Sequence, residues 1–161
     1  MRLTFVVGSL SVLAVACSDD ASPPDAPTEF PVFPADYAAT YQEVRNCRNS
    51  NDHDLMKVRI LASPDALTTY TTRSGDFPPG SIILKEEYDS GDDTCSGPIM
   101  RFAVMQKLEA GAAPDKIDFT WQRVNTQHRV ITEDVGRCVN CHTGINCQPP
   151  FGYAGTCAEP P

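Results

Sequence analysis

The chain has 161 residues, with 21 acidic against 13 basic side chains, a formal net charge of −8, 14 prolines and 7 cysteines. That length suffices for one domain and not for two. The basic residues are scattered, which excludes the concentrated cationic surface that nucleic-acid binding requires, and the acidic balance suits a basic partner or a small ligand.

Arg2 is followed by apolar or small residues from Leu3 to Ala16, and then by Cys17, Ser18, Asp19 and Asp20. Residues 1–16 therefore read as an export signal; the run is too short to span a bilayer, which takes about 20 residues. Ala14 and Ala16 directly before Cys17 resemble a bacterial lipoprotein signal, whose cleavage leaves Cys17 as the lipid-bearing first residue. An ordinary secretory signal cut near Ala16 is the alternative. Both put the domain outside the cytoplasm, and the lipoprotein reading places it in the periplasm, held to a bacterial membrane, the outer one by expectation, through lipid alone. Residues 17–34 are rich in proline and lack periodicity, as an extended tether would be. The folded domain is expected over 35–161.

From Ala35 to Cys47, Tyr37, Tyr41 and Val44 recur at i, i+4 and i+7, the stripe of an amphipathic helix. Leu55 to Leu61 alternates Met56, Val58 and Ile60 against Lys57 and Arg59 and reads as a strand. Ser63-Pro64-Asp65 supplies an N-cap serine and a first-turn proline for a short helix that ends before Gly75, with Leu67 and Tyr70 on its buried side. Phe77-Pro78-Pro79-Gly80 is a turn leading into a strand over Ser81 to Tyr88, and Asp89 to Asp93 is a loop. Met100 to Lys107 and Ile117 to Val124 alternate as strands. Thr132 is placed to cap a last helix with Val135 and Val139 turned inward. Four strands with short connections define an α+β class dominated by an antiparallel sheet, with helices packed on it and one near the C-terminus.

That last helix carries Cys138-Val139-Asn140-Cys141-His142, the C-x-x-C-H attachment sequence of c-type haem. Positions i, i+3 and i+4 share a helix face, so both thiols can meet the haem vinyl groups while His142 turns to the iron. A zinc ribbon would need a second cysteine or histidine pair at suitable spacing, which Cys47, Cys95, Cys147 and Cys157 do not form. Thioredoxin-like chemistry would want the motif after a strand in a βαβ unit, and a plain Cys138–Cys141 disulfide is the simplest alternative. With Cys17 given to lipid, the other four cysteines can pair in three ways. The favoured pairing is Cys147 with Cys157, closing a short loop rich in Pro and Gly, and Cys47 with Cys95, staples that matter in a domain of 8% aromatic content.

A β-rich domain ending in C-x-x-C-H resembles the cytochrome P-460 family, which includes the cytochromes c′-beta. The resemblance rests on Phe77-Pro78-Pro79-Gly80-Ser81-Ile82-Ile83, Phe102-Ala103-Val104-Met105-Gln106-Lys107, the strand around Phe119 and Trp121, Cys138 to His142, and Phe151-Gly152-Tyr153, in that order over most of 35–155. It implies one covalent haem c against an antiparallel sheet, bound through Cys138 and Cys141, with His142 as proximal iron ligand; family members are often homodimers. Its P-460 enzymes oxidise hydroxylamine and carry a lysine bond to the porphyrin, while its c′-beta members lack the bond and bind nitric oxide. The crosslinking lysine is placed just before the Phe-Pro turn, where this chain has Asp76; Lys85 and Lys107 are the nearest substitutes, each read as a solvated strand residue.

On the distal side an open iron position permits ligand binding, whereas a second protein ligand favours electron transfer. Met56, Met100, Met105, His53 and His128 are the candidate ligands, with the methionines read as core and both histidines as surface residues. Phe102, Met105 and Trp121 are candidate pocket walls. The expected function is a mono-haem cytochrome that binds a small diatomic or nitrogen-oxide ligand, or exchanges electrons with a redox partner protein. Hydroxylamine oxidation is the enzymatic alternative, for which Glu86 or Glu87 would be the proton acceptor, with at least one of the two expected in solvent. A haem-free, disulfide-stabilised binding lipoprotein is the third.

Overall fold

The computed structural model describes residues 30–157, so the segment read as an export signal, Cys17 and most of the segment read as a tether lie outside the described residues. Six strands, β1 (Gln42–Ser50), β2 (Met56–Ala62), β3 (Ile82–Tyr88), β4 (Arg101–Lys107), β5 (Phe119–Val124) and β6 (Val130–Glu133), form one antiparallel sheet in chain order. Helix α1 (Pro64–Thr72) lies between β2 and β3, and helix α2 (Gly136–Thr143) follows β6. The class is the expected β-rich α+β.

Alternation along the strands sorts side chains onto two faces. The register aligns Arg59, Glu86, Phe102 and Val124 across the sheet, with Leu61, Leu84, Val104 and Gln122 in the next row. These rows share a face with a first core, where Phe33 and Tyr37 pack on Leu61, Leu84, Phe102 and Val104. Phe33 is 2% exposed, so the folded part starts inside the segment read as tether. The opposite face carries Ala62, Ile83, Met105 and Trp121 in one row and Ile60, Lys85, Ala103 and Arg123 in the next. There α1 contributes Ala66 and Tyr70, and α2 contributes Cys138 and Val139, to a second core.

The expected helix over 35–47 is not formed. Tyr37–Ala39 makes one 3₁₀ turn, and the chain then enters β1. The reason is that Tyr37 and Tyr41 join the first core while Val44 packs against the second, a division across the sheet that one helical stripe cannot make. Pairing with the free edge of β2 outweighs the local helical pattern, through a register broken twice. Thr132 likewise sits in β6, paired with Arg123, rather than capping a helix. Val135 holds the N-cap position of α2 and is 38% exposed, so only Val139 packs inward.

The other elements match the sequence closely. Ser63 occupies the N-cap of α1, but its hydroxyl accepts the Ile82 backbone N–H at 2.9 Å and so ties the helix start to β3. Gly80, at φ +86, completes the turn after Pro78-Pro79 in a conformation that L side chains rarely adopt, and its N–H donates to Lys107 O at 2.8 Å. Disulfides join Cys47 to Cys95 and Cys147 to Cys157, the favoured pairing. The first ties edge strand β1 to the acidic loop after β3. No helix among the described residues is long and apolar enough to cross a membrane.

Candidate functional site

The second face of the sheet is not fully covered. A cavity of about 490 Å³ lies between β2–β5, helix α2, the β1–β2 hairpin turn and the C-terminal disulfide loop, within the size range of cofactor sites. Its sheet wall is Val58, Ile60, Ile83, Lys85, Ala103, Met105, Trp121 and Arg123. The other walls include His53, Tyr70, Arg137, Cys138, Cys141 and His142.

Helix α2 brings the three C-x-x-C-H side chains to this space. Cys138 and Cys141 are free thiols, whereas the four other described cysteines are paired. Burial pushes the Cys138 thiol up, with Cys141 adding to it and Arg123 opposing it. The His142 ring stands 5.8 Å from Trp121, and its Nδ1 donates to Gly155 O at 2.6 Å. That bond selects the tautomer with the lone pair on Nε2, the arrangement that backbone carbonyls impose on metal-bound histidines. Burial lowers the His142 pKa to about 4 despite the Gly155 bond, so the ring is neutral at pH 7. His142, Cys147 and Cys157 also cluster within 4.8 Å, but both sulfurs are spent in the disulfide, so this group is no thiolate metal site.

Of the expected pocket walls, Met105 and Trp121 line the cavity and Phe102 does not. Phe102 belongs to the first core on the opposite face, against Phe33 and Tyr37; residues three apart on a strand point to opposite sides, so Phe102 and Met105 cannot both face one cavity. Trp121 is 4% exposed, and its Nε1 has no hydrogen-bond partner among the described residues. Met100 is 53% exposed, Met56 is half-buried at the start of β2, and His128 packs edge-on against Phe33 in the first core, 4.7 Å between ring centres. None of these three lines the cavity.

Two residues read as solvated, His53 and Lys85, are instead on the cavity wall. His53 is held between β3 side chains: its Nδ1 meets Glu87 Oε1 at 3.0 Å and its Nε2 meets Lys85 Nζ at 2.7 Å. Both ring nitrogens are thus engaged, which argues against His53 as an iron ligand. Glu86 and Glu87 are 2% and 0% exposed, on opposite faces of β3. Glu86 accepts from Tyr37 Oη and Tyr88 Oη at 2.7 Å each and pairs with Arg59 at 2.6 Å, whereas Glu87 stands behind His53 and pairs with Arg101. Lys107 turns away, donating to Ile117 O at 2.9 Å, and Asp76 is exposed and does not line the cavity.

The signal for Lys85 and Glu87 was present in the sequence, because β3 alternation places both on the face of Ile83. His53 was hidden, since its position depends on β1 being a strand and forming a hairpin with β2.

No family model matches the chain, and no similar curated protein is found.

Proposed function

We propose that this chain is an exported, lipid-anchored mono-haem c-type cytochrome of the P-460 and c′-beta type, which binds a small ligand such as nitric oxide or passes electrons to a redox partner protein. The observation that carries the reading is one arrangement on α2: two free thiols and a neutral histidine, its Nδ1 fixed by Gly155, on the wall of one cavity. The residues present fit a haem. Cys138 and Cys141 would bind it covalently and His142 Nε2 would ligate the iron; Met105 and Trp121 offer apolar wall, and Arg48, Arg123 and Arg137 offer positive charge to its carboxylates. The orphaned Trp121 Nε1 is consistent with a group that completes the site.

Bound haem would supply the redox-active iron and its coordination chemistry. The chain's own residues set access and potential. Gly155 orients and polarises the proximal imidazole, Ile60, Ile83 and Met105 exclude water, and the Lys85–His53 pair leaves a polar group inside the cavity. Among the described residues Met105 is the one methionine on the cavity wall, beside Gly155 on the His142 side, and His53 has both ring nitrogens engaged, an arrangement that favours ligand binding over a second protein ligand.

The hydroxylamine-oxidising alternative gains from one observation. Lys85, not Asp76, presents its amine to the cavity, and burial lowers its pKa to about 8. Optical spectra of the protein matured with c-type haem separate these readings. A reduced band at the ordinary c-type position that shifts with carbon monoxide is the expected result. A Soret band displaced far to the red would assign a Lys85 crosslink and the enzymatic alternative, and absence of haem under competent maturation would overturn the cytochrome reading in favour of a haem-free binding lipoprotein.

A further inference from the structure

The residues that converge on the cavity from β3 and the β1–β2 turn have a chain of contacts that haem attachment does not require. Glu87 Oε1 lies 3.0 Å from His53 Nδ1, and His53 Nε2 lies 2.7 Å from Lys85 Nζ. Behind Glu87, Arg101 pairs with its second oxygen and reaches Asp54 at 2.5 Å. Lys85 lines the cavity, while the His53 side chain keeps 21% of its surface exposed. The sequence of groups therefore runs from solvent, through an imidazole oriented by a buried carboxylate, to an amine inside the site. This is the acid–base logic of an oriented histidine with a second group in hydrogen-bond reach.

We propose that Lys85, His53 and Glu87 form a proton relay for a small ligand held in the cavity, with Lys85 Nζ as the group that meets the ligand. Lys85 is the catalytic group, and His53 and Glu87 position and recharge it. When a bound ligand gives up a proton, the ligand–hydrogen bond breaks and an N–H bond forms at neutral Lys85. Lys85 then passes a proton to His53 Nε2. The resulting imidazolium, with Nδ1–H on the Glu87 carboxylate, releases its Nε2 proton to water. Delivery of a proton to a ligand runs the same steps in reverse. No electrons move in the relay.

The charges around it support such exchange. Burial lowers the Lys85 pKa while Glu87, Asp52 and Cys138 raise it, and burial lowers His53 against the attraction of Glu87, with Lys85 and Arg123 adding to the lowering. From α2, Arg137 is drawn to Asp54 at 3.2 Å and to the Asp52 carbonyl at 3.0 Å. His142 faces the same space as a neutral ring. The relay therefore sits among charges already paired.

The inference takes the identity of the site from the proposed haem function, and two experiments keep the two apart. The first follows cyanide binding to the ferric holoprotein from pH 6 to 9, because hydrogen cyanide must lose a proton to bind as the anion. In the native protein the association rate is expected to rise with a half-point near pH 8. Lys85→Gln should remove the half-point near pH 8, leaving only the rise that follows ionisation of free hydrogen cyanide, and slow association at pH 7 by about a hundredfold, and His53→Gln should slow it while keeping the half-point. Native rates and native pH profiles in both variants, each with an intact haem spectrum, would overturn the relay.

The second experiment needs neither variant nor haem. Reductive methylation with formaldehyde acts on neutral amines only, and peptide mass analysis can follow Lys85 as pH is varied. A half-point near 8 supports the relay, and one near the ordinary lysine value of about 10.4 overturns it. A protein that fails to take up haem but keeps the first half-point would defeat the cytochrome reading and leave the relay standing.

Discussion

The Gly155 carbonyl accepts a hydrogen bond from His142 Nδ1 at 2.6 Å, and the Cys147–Cys157 disulfide closes the loop that carries it. Gly155 is fixed from both sides: its N–H donates to Cys147 O at 3.0 Å, and a Cβ there would come within 2.6 Å of Ile117 Cδ1 at φ +84. The loop thus aims one carbonyl at one imidazole. Replacing both cysteines by serine should cost about 2–3 kcal/mol from loop entropy, measured by urea unfolding. With the proposed haem in place it should also raise the reduction potential, because a histidine that loses its acceptor would be a poorer donor to iron. An unchanged potential would show that the loop stabilises the fold without setting the ligand.

On the first face, Glu86 gathers three partners from separate elements: Tyr37 near the start of the domain, Tyr88 at the end of β3, and Arg59 on β2. Burial and the neighbouring carboxylate push both tyrosine hydroxyls well above their ordinary range, so they remain donors at any working pH. Glu86→Ala leaves Arg59 without its closest carboxylate and two hydroxyls unpaired, and should destabilise the protein by about 3–5 kcal/mol. Tyr88→Phe, which removes one bond only, should cost about 1 kcal/mol. Equal losses for the two variants in chemical unfolding would contradict a Glu86-centred cluster.

The strands with clean alternation, β2 to β5, were legible in the sequence, because a period of two survives in each and buried partners lie on both sides. β1 was not. Its residues Gln42, Glu43, Arg45 and Arg48 carry no apolar alternation, and what makes it a strand is the edge of β2 and the bond to Cys95, neither visible locally. The same loss hides half of the site: C-x-x-C-H is a local motif and legible as it stands, whereas His53 meets Lys85 across 32 positions and Glu87 across 34. Phe102 is a different case, since the period of two along β4 sets it on the face opposite Met105, and the two lie in separate cores.

Lys85 should cost stability in a way that pH reveals. Its folded pKa, about 8, lies below the value of about 10.4 expected for the unfolded chain. Between these values the unfolded state binds the extra proton, so stability rises with pH across that window, and below pH 8 the penalty is present in full. Lys85→Met should therefore stabilise the protein at pH 7, by about 1–3 kcal/mol after allowance for solvent entering the open cavity. That gain should fade as pH approaches 10. A variant that is less stable than the native protein at pH 7 would mean that the bond to His53 outweighs the burial of the charge.

The chain has one tryptophan, and Trp121 forms part of the cavity wall, 4% exposed and 5.8 Å from the ring of His142. Its emission therefore reports on that wall alone. In the haem-free protein it should be blue-shifted, as a buried indole is, and a haem linked to Cys138 and Cys141 should quench it almost completely at such short range. Cys138→Ala with Cys141→Ala should restore the emission by preventing covalent attachment, while unfolding should shift it to the red in both proteins. Full emission from a protein that carries covalent haem would place the porphyrin away from Trp121 and would exclude the cavity between β5 and α2 as its seat.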